Sequence, residues 1–208
     1  MKEKKLIAFD LFDTCFDLPQ ANISYKKLFS ALGILERRRE LKKILLTSRK
    51  SMEEILSEFL PHQDIQSHLA TYNENIRNEV DSVCLYPETL SVLSDLKNKW
   101  YELAAVSNLA VPYIQSLDRL LPHTFHYEIL SSDVGVCKPD VKIFDCLKNI
   151  SWYHSDEILM IGDDLNSDVQ WAKNAGIDPV CIDRKSLWIR YHKDYISISS
   201  LEKLLEIL

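Results

Sequence analysis

The feature that most constrains this chain is a repeated one. A short apolar run stops at a small or acidic polar residue, and a helical stretch follows. Leu6-Ile7-Ala8-Phe9 stops at Asp10, Leu103-Ala104-Ala105-Val106 at Ser107-Asn108, and Ile158-Leu159-Met160-Ile161 at Gly162-Asp163-Asp164. Pro179-Val180-Cys181-Ile182 stops at Asp183, and the weaker Tyr127-Glu128-Ile129-Leu130 at Ser131-Ser132-Asp133. Runs this short, with no polar alternation, suit strands buried on both faces of a parallel sheet. Between them, residues 88–99, 111–121, 140–149 and 164–175 carry apolar side chains three or four apart, the spacing of amphipathic helices. Strand alternating with helix predicts an α/β fold, a doubly wound parallel sheet with a Rossmann-like core. Ligands of such sheets lie beyond the carboxyl ends of the strands, so the polar endings are expected to converge on one site.

Residues 17–84 break the rhythm. They hold no convincing strand and read as helices over 24–32, 35–50, 53–59 and 65–80, with Gly33 and Pro61 in the connections. Ser51-Met52-Glu53-Glu54 fits a capping box at a helix start. The expected organisation is a Rossmann-like core from residues 1–16 and 85–208, with 17–84 as a small inserted helical cap. A last helix over 201–207 is expected to pack back on the sheet.

The 208 residues are 46% apolar and 27% charged, as in a soluble globular protein. The net charge of −6 argues against a nucleic-acid coat or a general membrane-surface binder. No apolar run reaches the length of a bilayer span, and only four apolar residues precede Asp10, too few for a signal peptide core. Five scattered cysteines without a C-x-x-C pair suit reduced thiols in a cytoplasmic protein rather than a zinc site.

Four segments carry the chemistry: Phe9-Asp10-Leu11-Phe12-Asp13-Thr14, Val106-Ser107-Asn108, Lys138-Pro139-Asp140, and Gly162-Asp163-Asp164-Leu165-Asn166-Ser167-Asp168. In order and spacing they resemble the four motifs of the haloacid dehalogenase superfamily, whose members are mostly phosphohydrolases. The branch with a helical cap after the first motif also accounts for the insert. The resemblance implies that Asp10 is the nucleophile and that Lys138 neutralises both it and the phosphoryl group. Ser107 and Asn108 would bind phosphate oxygens, and Thr14 would hold the Asp10 loop through its hydroxyl. The implied cofactor is Mg2+, held by Asp10, the main-chain carbonyl of Phe12 and Asp163, with Asp168 supporting it directly or through water. Independently of the family, an exposed carboxylate at a strand end can attack phosphorus, and carboxylates crowded at 163, 164 and 168 repel one another unless a hard cation joins them. Asp164 reads equally well as a helix cap.

The chain departs from the family at one position. The usual phosphatase carries a second Asp two residues after the nucleophile, to protonate the leaving group and activate water. Here that residue is Phe12. Three readings follow. The first is a magnesium-dependent phosphohydrolase acting on a small phosphorylated metabolite, with the missing acid unneeded or borrowed, for instance from Asp13. The second is a metal-independent 2-haloacid dehalogenase, against which the Gly162-Asp163 pair counts. The third is a non-catalytic or weakly active descendant that binds a phosphorylated ligand or a protein partner.

Substrate choice in this family generally lies in the cap. Residues 26–50 hold nine Lys and Arg against Glu36 and Glu40, which would steer an anionic substrate unless they form a solvated face. His123 and His126 read as ordinary surface or core residues, and the four tryptophans as core or edge packing.

Overall fold

A computed structural model describes residues 3–19, 23–60 and 65–208; Pro61 lies outside the described residues. The elements run in the following order. β1 (Leu6–Phe9) and β2 (Phe16–Asp17) precede four helices, α1 (Ile23–Ala31), α2 (Arg38–Thr47), α3 (Met52–Phe59) and α4 (Gln66–Ser82). Then come β3 (Cys84–Leu85), α5 (Thr89–Asn98), β4 (Glu102–Ser107), α6 (Ile114–Leu120), β5 (Tyr127–Leu130), α7 (Ser131–Val134), α8 (Lys142–Ser151) and β6 (Ile158–Gly162). A π-helical stretch (Leu165–Gln170), α9 (Trp171–Asn174), β7 (Asp178–Ile182), β8 (Arg190–Tyr191), β9 (Ile196–Ile198) and a 3-10 helix (Leu201–Glu206) complete the chain.

The sheet has the order β5-β4-β1-β6-β7-β9-β8, parallel throughout except for the edge pairing of β8 with β9. Alternate residues of each central strand face opposite layers. Ile7, Phe9, Leu103 and Ala105 enter one apolar cluster, while Leu6, Ala8, Ala104 and Val106 enter the other. Both faces are therefore covered, which is why the strands read as unbroken apolar runs. All five sequence-predicted strands are present.

Several elements differ from the reading of the sequence. The stretch predicted as one helix over 35–50 is a 3-10 turn (Leu35–Arg37) followed by α2, and 164–175 is π-helical over Leu165–Gln170 before α9. The short strands β8 and β9 carry little apolar pattern and went unread. So did β2 and β3, an antiparallel pair of two residues each, in which Phe16 faces Leu85 and Asp17 faces Cys84. This pair ties together the two chain crossings where the helical segment begins and ends. The capping box at Ser51 is present, with the Ser51 hydroxyl accepting from Glu54 N–H and the Glu54 carboxylate accepting from Ser51 N–H. The tryptophan reading is corrected: Trp100, Trp152 and Trp188 are exposed, and only Trp171 packs against an apolar cluster. No helix among the described residues is long and apolar enough to cross a membrane.

Candidate active site

Asp10 follows β1 directly, and its N–H still donates to Ile161 in the sheet at 2.8 Å. The chain then turns sharply. The N–H groups of Cys15 and Phe16 both donate to the Leu11 carbonyl, and Asp13 N–H donates to Phe16. Asp13 takes a left-handed conformation (φ +57°), which a short polar side chain tolerates better than a branched one.

Thr14 does not hold this turn in the way expected. Its side chain is fully buried, its hydroxyl has no hydrogen-bond partner among the described residues, and it does not line the cavity described below. Main-chain carbonyls are the handles instead. Arg184 donates to Asp13 O at 3.2 Å and Thr14 O at 2.5 Å, pairs with Glu88 at 2.7 Å and stacks 3.3 Å from the Tyr86 ring centroid. The Thr89 hydroxyl donates to Cys15 O at 3.0 Å. Arg184 was missed from the sequence. It lies 170 residues from the turn it holds, and a single Arg after a strand carries no local signal.

Lys138 arrives from the loop after α7, which turns at Gly135 (φ +72°). Its ammonium is buried and uses all three donors, on Asp10 Oδ1 at 2.6 Å, Asp168 Oδ1 at 2.6 Å and Val106 O at 2.9 Å. Burial disfavours the charge, but the two carboxylates outweigh it and hold the lysine well above its ordinary range. Asp10 is likewise buried, at 8% exposure, rather than the exposed carboxylate the sequence suggested.

Asn108 spends its side-chain amide on the Lys138 main chain, donating to Lys138 O at 2.8 Å and accepting from Lys138 N–H at 2.7 Å. It clamps the lysine loop, and it also lines the cavity, where the second proton of its amide remains to be donated. Ser107 ends β4 beside it and lines the cavity. Asp164 caps the following π-helical stretch, accepting from Asn166 N–H and Ser167 N–H.

Asp10, Asp163 and Asp168 each offer an oxygen within 4.8 Å of the others. Asp168 has both oxygens engaged, one by Lys138 and one by Asp164 N–H at 3.1 Å. Asp163 has no cation paired with it among the described residues, and a main-chain hydrogen bond compensates it only in part. Burial first, then the charges of Asp10 and Asp168, push its carboxyl up to about 7. Three carboxylates against one ammonium leave two negative charges unmatched, and the donor set is all oxygen. These residues therefore fit a hard divalent cation such as Mg2+. His123 and His126 take no part, and His126 Nδ1 accepts from Leu103 N–H at 3.1 Å.

Above this floor lies a cavity of about 650 Å³. Its walls include Phe12, Asp13 and Tyr113, and its far side is formed by α1 and α2 with Leu35. The Phe12 ring packs edge-on against Tyr113, with centroids 5.3 Å apart, and against Phe16 at 5.8 Å.

A doubly wound sheet with a carboxylate at the end of its central strand, an ammonium paired to it and an acidic cluster beside it defines an aspartate-centred protein of the Rossmann-like α/β class. The chain belongs to the haloacid dehalogenase-like hydrolase family, whose model matches residues 7–182. Among curated proteins it is 34% identical over 99 residues to a glyceraldehyde 3-phosphate phosphatase of Methanothermobacter thermautotrophicus, covering 47% of this chain and 44% of that protein. It is 32% identical over 103 residues to a phosphoserine phosphatase of Thermus thermophilus, covering 48% and 41%. The chain thus spans under half the length of these relatives. The crystal structure of an HAD phosphatase from Thermococcus onnurineus superposes with a TM-score of 0.65 at 27% identity, covering 98% of this chain and 97% of that one. A 2-haloacid dehalogenase from Pseudomonas syringae pv. Tomato has a TM-score of 0.70 at 20% identity over 98% and 97% of the two chains, a likeness of fold alone.

Proposed function

We propose that this protein is a magnesium-dependent phosphohydrolase acting on a small phosphorylated metabolite. The observation that carries this reading is the Lys138 ammonium held between Asp10 and Asp168 on the floor of the cavity, with Asp163 beside them. Asp10 would attack phosphorus, the ester P–O bond would break, and the leaving alkoxide would take its proton from solvent. Water would then attack the aspartyl phosphate, releasing inorganic phosphate and restoring the carboxylate. Lys138 orients Asp10 and offers positive charge to the transferring oxygens, and Ser107 offers a hydroxyl. Asp10, Asp163 and the Phe12 carbonyl would hold Mg2+, with Asp168 fixing Lys138. Once bound, the ion supplies the charge that offsets phosphate against the acidic floor. Residues 17–84 act as the cap, restricting how much solvent reaches the reacting groups.

Phe12 supports a slower variant of this chemistry. Its ring cannot exchange a proton, and general acid–base help is worth roughly 10²–10⁴ in rate. Substrates with good leaving groups, such as acyl phosphates and aryl phosphates, suffer least from its loss. The packing of Phe12 on Tyr113 also keeps alive the reading of a ligand-binding protein with little turnover.

Hydrolysis of p-nitrophenyl phosphate with magnesium and with a chelator tests the proposal. Turnover that needs the metal and disappears in Asp10→Asn is the expected result. Metal binding without turnover across a broad phosphate panel would replace it with the binding reading.

A further inference from the structure

The nine basic residues of 26–50 divide into distinct sets in three dimensions. Arg37 pairs with Glu40, Arg49 with Asp133 and Lys50 with Glu58. Lys26, Arg38, Arg39 and Lys42 instead line the cavity opposite the acidic floor. None of these four makes an ion pair or a side-chain hydrogen bond among the described residues.

The arrangement follows from helical periodicity. Leu35, Arg38, Arg39, Lys42, Leu45 and Leu46 recur three or four apart and turn one face of the 3-10 turn and α2 toward the cavity. Leu41 is fully buried. Glu40, the acid nearest in sequence to these cations, is taken by Arg37. The site thus has two electrostatic centres. The floor, with its paired lysine and fit for a divalent cation, suits one phosphoryl group. The cationic face lines the same cavity without an ion-pair partner of its own among the described residues, and Coulomb attraction draws an anionic ligand toward it.

Resting on the phosphohydrolase reading and extending it to substrate class, we infer that the substrate is a compact bis-anion. One phosphoryl group reacts at Asp10, and a second anionic group, phosphate or carboxylate, is received by Arg38, Arg39, Lys42 and Lys26. Arginine forks match the planar carboxylate and the phosphate alike, so the two chemistries are separated by experiment. Phe12, Tyr25 and Tyr113 line the same cavity and suit a short carbon skeleton.

The test uses two matched substrate pairs with magnesium. Glycerol phosphate and phosphoglycerate share a carbon skeleton and differ by a carboxylate, while fructose monophosphate and fructose bisphosphate differ by a phosphate. Wild type is expected to favour the bis-anionic member of at least one pair by about tenfold or more in kcat/KM, and Arg38→Gln with Arg39→Gln should erase most of that preference, chiefly through KM. Equal kcat/KM within both pairs, or a preference unchanged in the double variant, overturns the inference. Calorimetric titration of the same compounds into Asp10→Asn keeps the question apart from turnover. Tighter binding of the bis-anion that the two arginine substitutions abolish supports the inference even where no substrate is hydrolysed; identical affinities for both members of each pair overturn it. Loss of turnover alone counts against the phosphohydrolase reading.

Discussion

Gly162 has no room for a side chain because Asp168 occupies the space: a Cβ built on Gly162 would lie 2.4 Å from the carboxyl carbon and from Oδ2 of Asp168. The glycine that ends β6 is therefore what lets Asp168 reach Lys138.

Gly162→Ala should push Asp168 off Lys138 and leave the ammonium with Asp10 alone. Overpacking of this kind costs ~1–3 kcal/mol, and a misplacement of about 1 Å at a catalytic pair costs ~10² in rate. The expected outcome is a lowered melting temperature with kcat down about a hundredfold. A variant with full activity would show that Asp168 does not set the position of Lys138.

Phe12→Asp should raise turnover. A carboxyl two residues after the nucleophile restores the acid that the usual phosphatase carries, and the gain should reach ~10–10² on alkyl phosphates, whose leaving groups need a proton most. The cost is the edge-on contacts with Tyr113 and Phe16, worth ~0.5–1.5 kcal/mol each. Steady-state kinetics on alkyl and aryl phosphates measure the gain; a rate unchanged on both would remove Phe12 as the limiting feature.

Magnesium should stabilise the protein through Asp163. A ligand that binds only the folded state adds about 2.7 kcal/mol at a hundred times its dissociation constant. Asp163→Asn is expected to abolish most of that magnesium-dependent rise in melting temperature. In the metal-free protein the same change should raise the melting temperature slightly, by about 2 °C after solvent screening, because a repelled carboxylate is removed. A metal-free variant less stable than wild type would contradict the repulsion argument.

Arg184 and Glu88 should make the nucleophile turn sensitive to acid. Burial opposes ionisation of Glu88, but the Arg184 hydrogen bond and charge outweigh it and hold the carboxyl below its ordinary range. The folded value is thus depressed. The stabilisation is complete above the unfolded value of about 4.3 and is lost as pH falls through the folded one. The gap in melting temperature between wild type and Arg184→Gln should narrow as pH is taken from neutral down through the depressed folded value of Glu88. Arg184→Gln should also reduce kcat, because the carbonyls of Asp13 and Thr14 lose their donor. A stability gap independent of pH would assign Arg184 a packing role only.

Periodicity and strand-end chemistry carried much of this molecule. The apolar runs at 6–9, 103–106, 158–161 and 179–182 specify strands because burial on both faces permits no polar residue within them, whereas 127–130, at the sheet edge, carries the exposed Glu128 and reads more weakly. Asp10, Ser107 and Asp163 stand at strand ends, which a parallel sheet delivers to one edge, while Lys138 was named from the resemblance to a family motif; all four line one cavity. What one-dimensional spacing could not supply was partner choice across the chain. That Asp168 and Asn108 serve Lys138, that Arg184 grips a turn far away in sequence, and that four of nine cations face the cavity are decided by packing. Hydrogen bonds and ion pairs act over a few ångströms of space, and only the folded backbone brings such distant residues within that range.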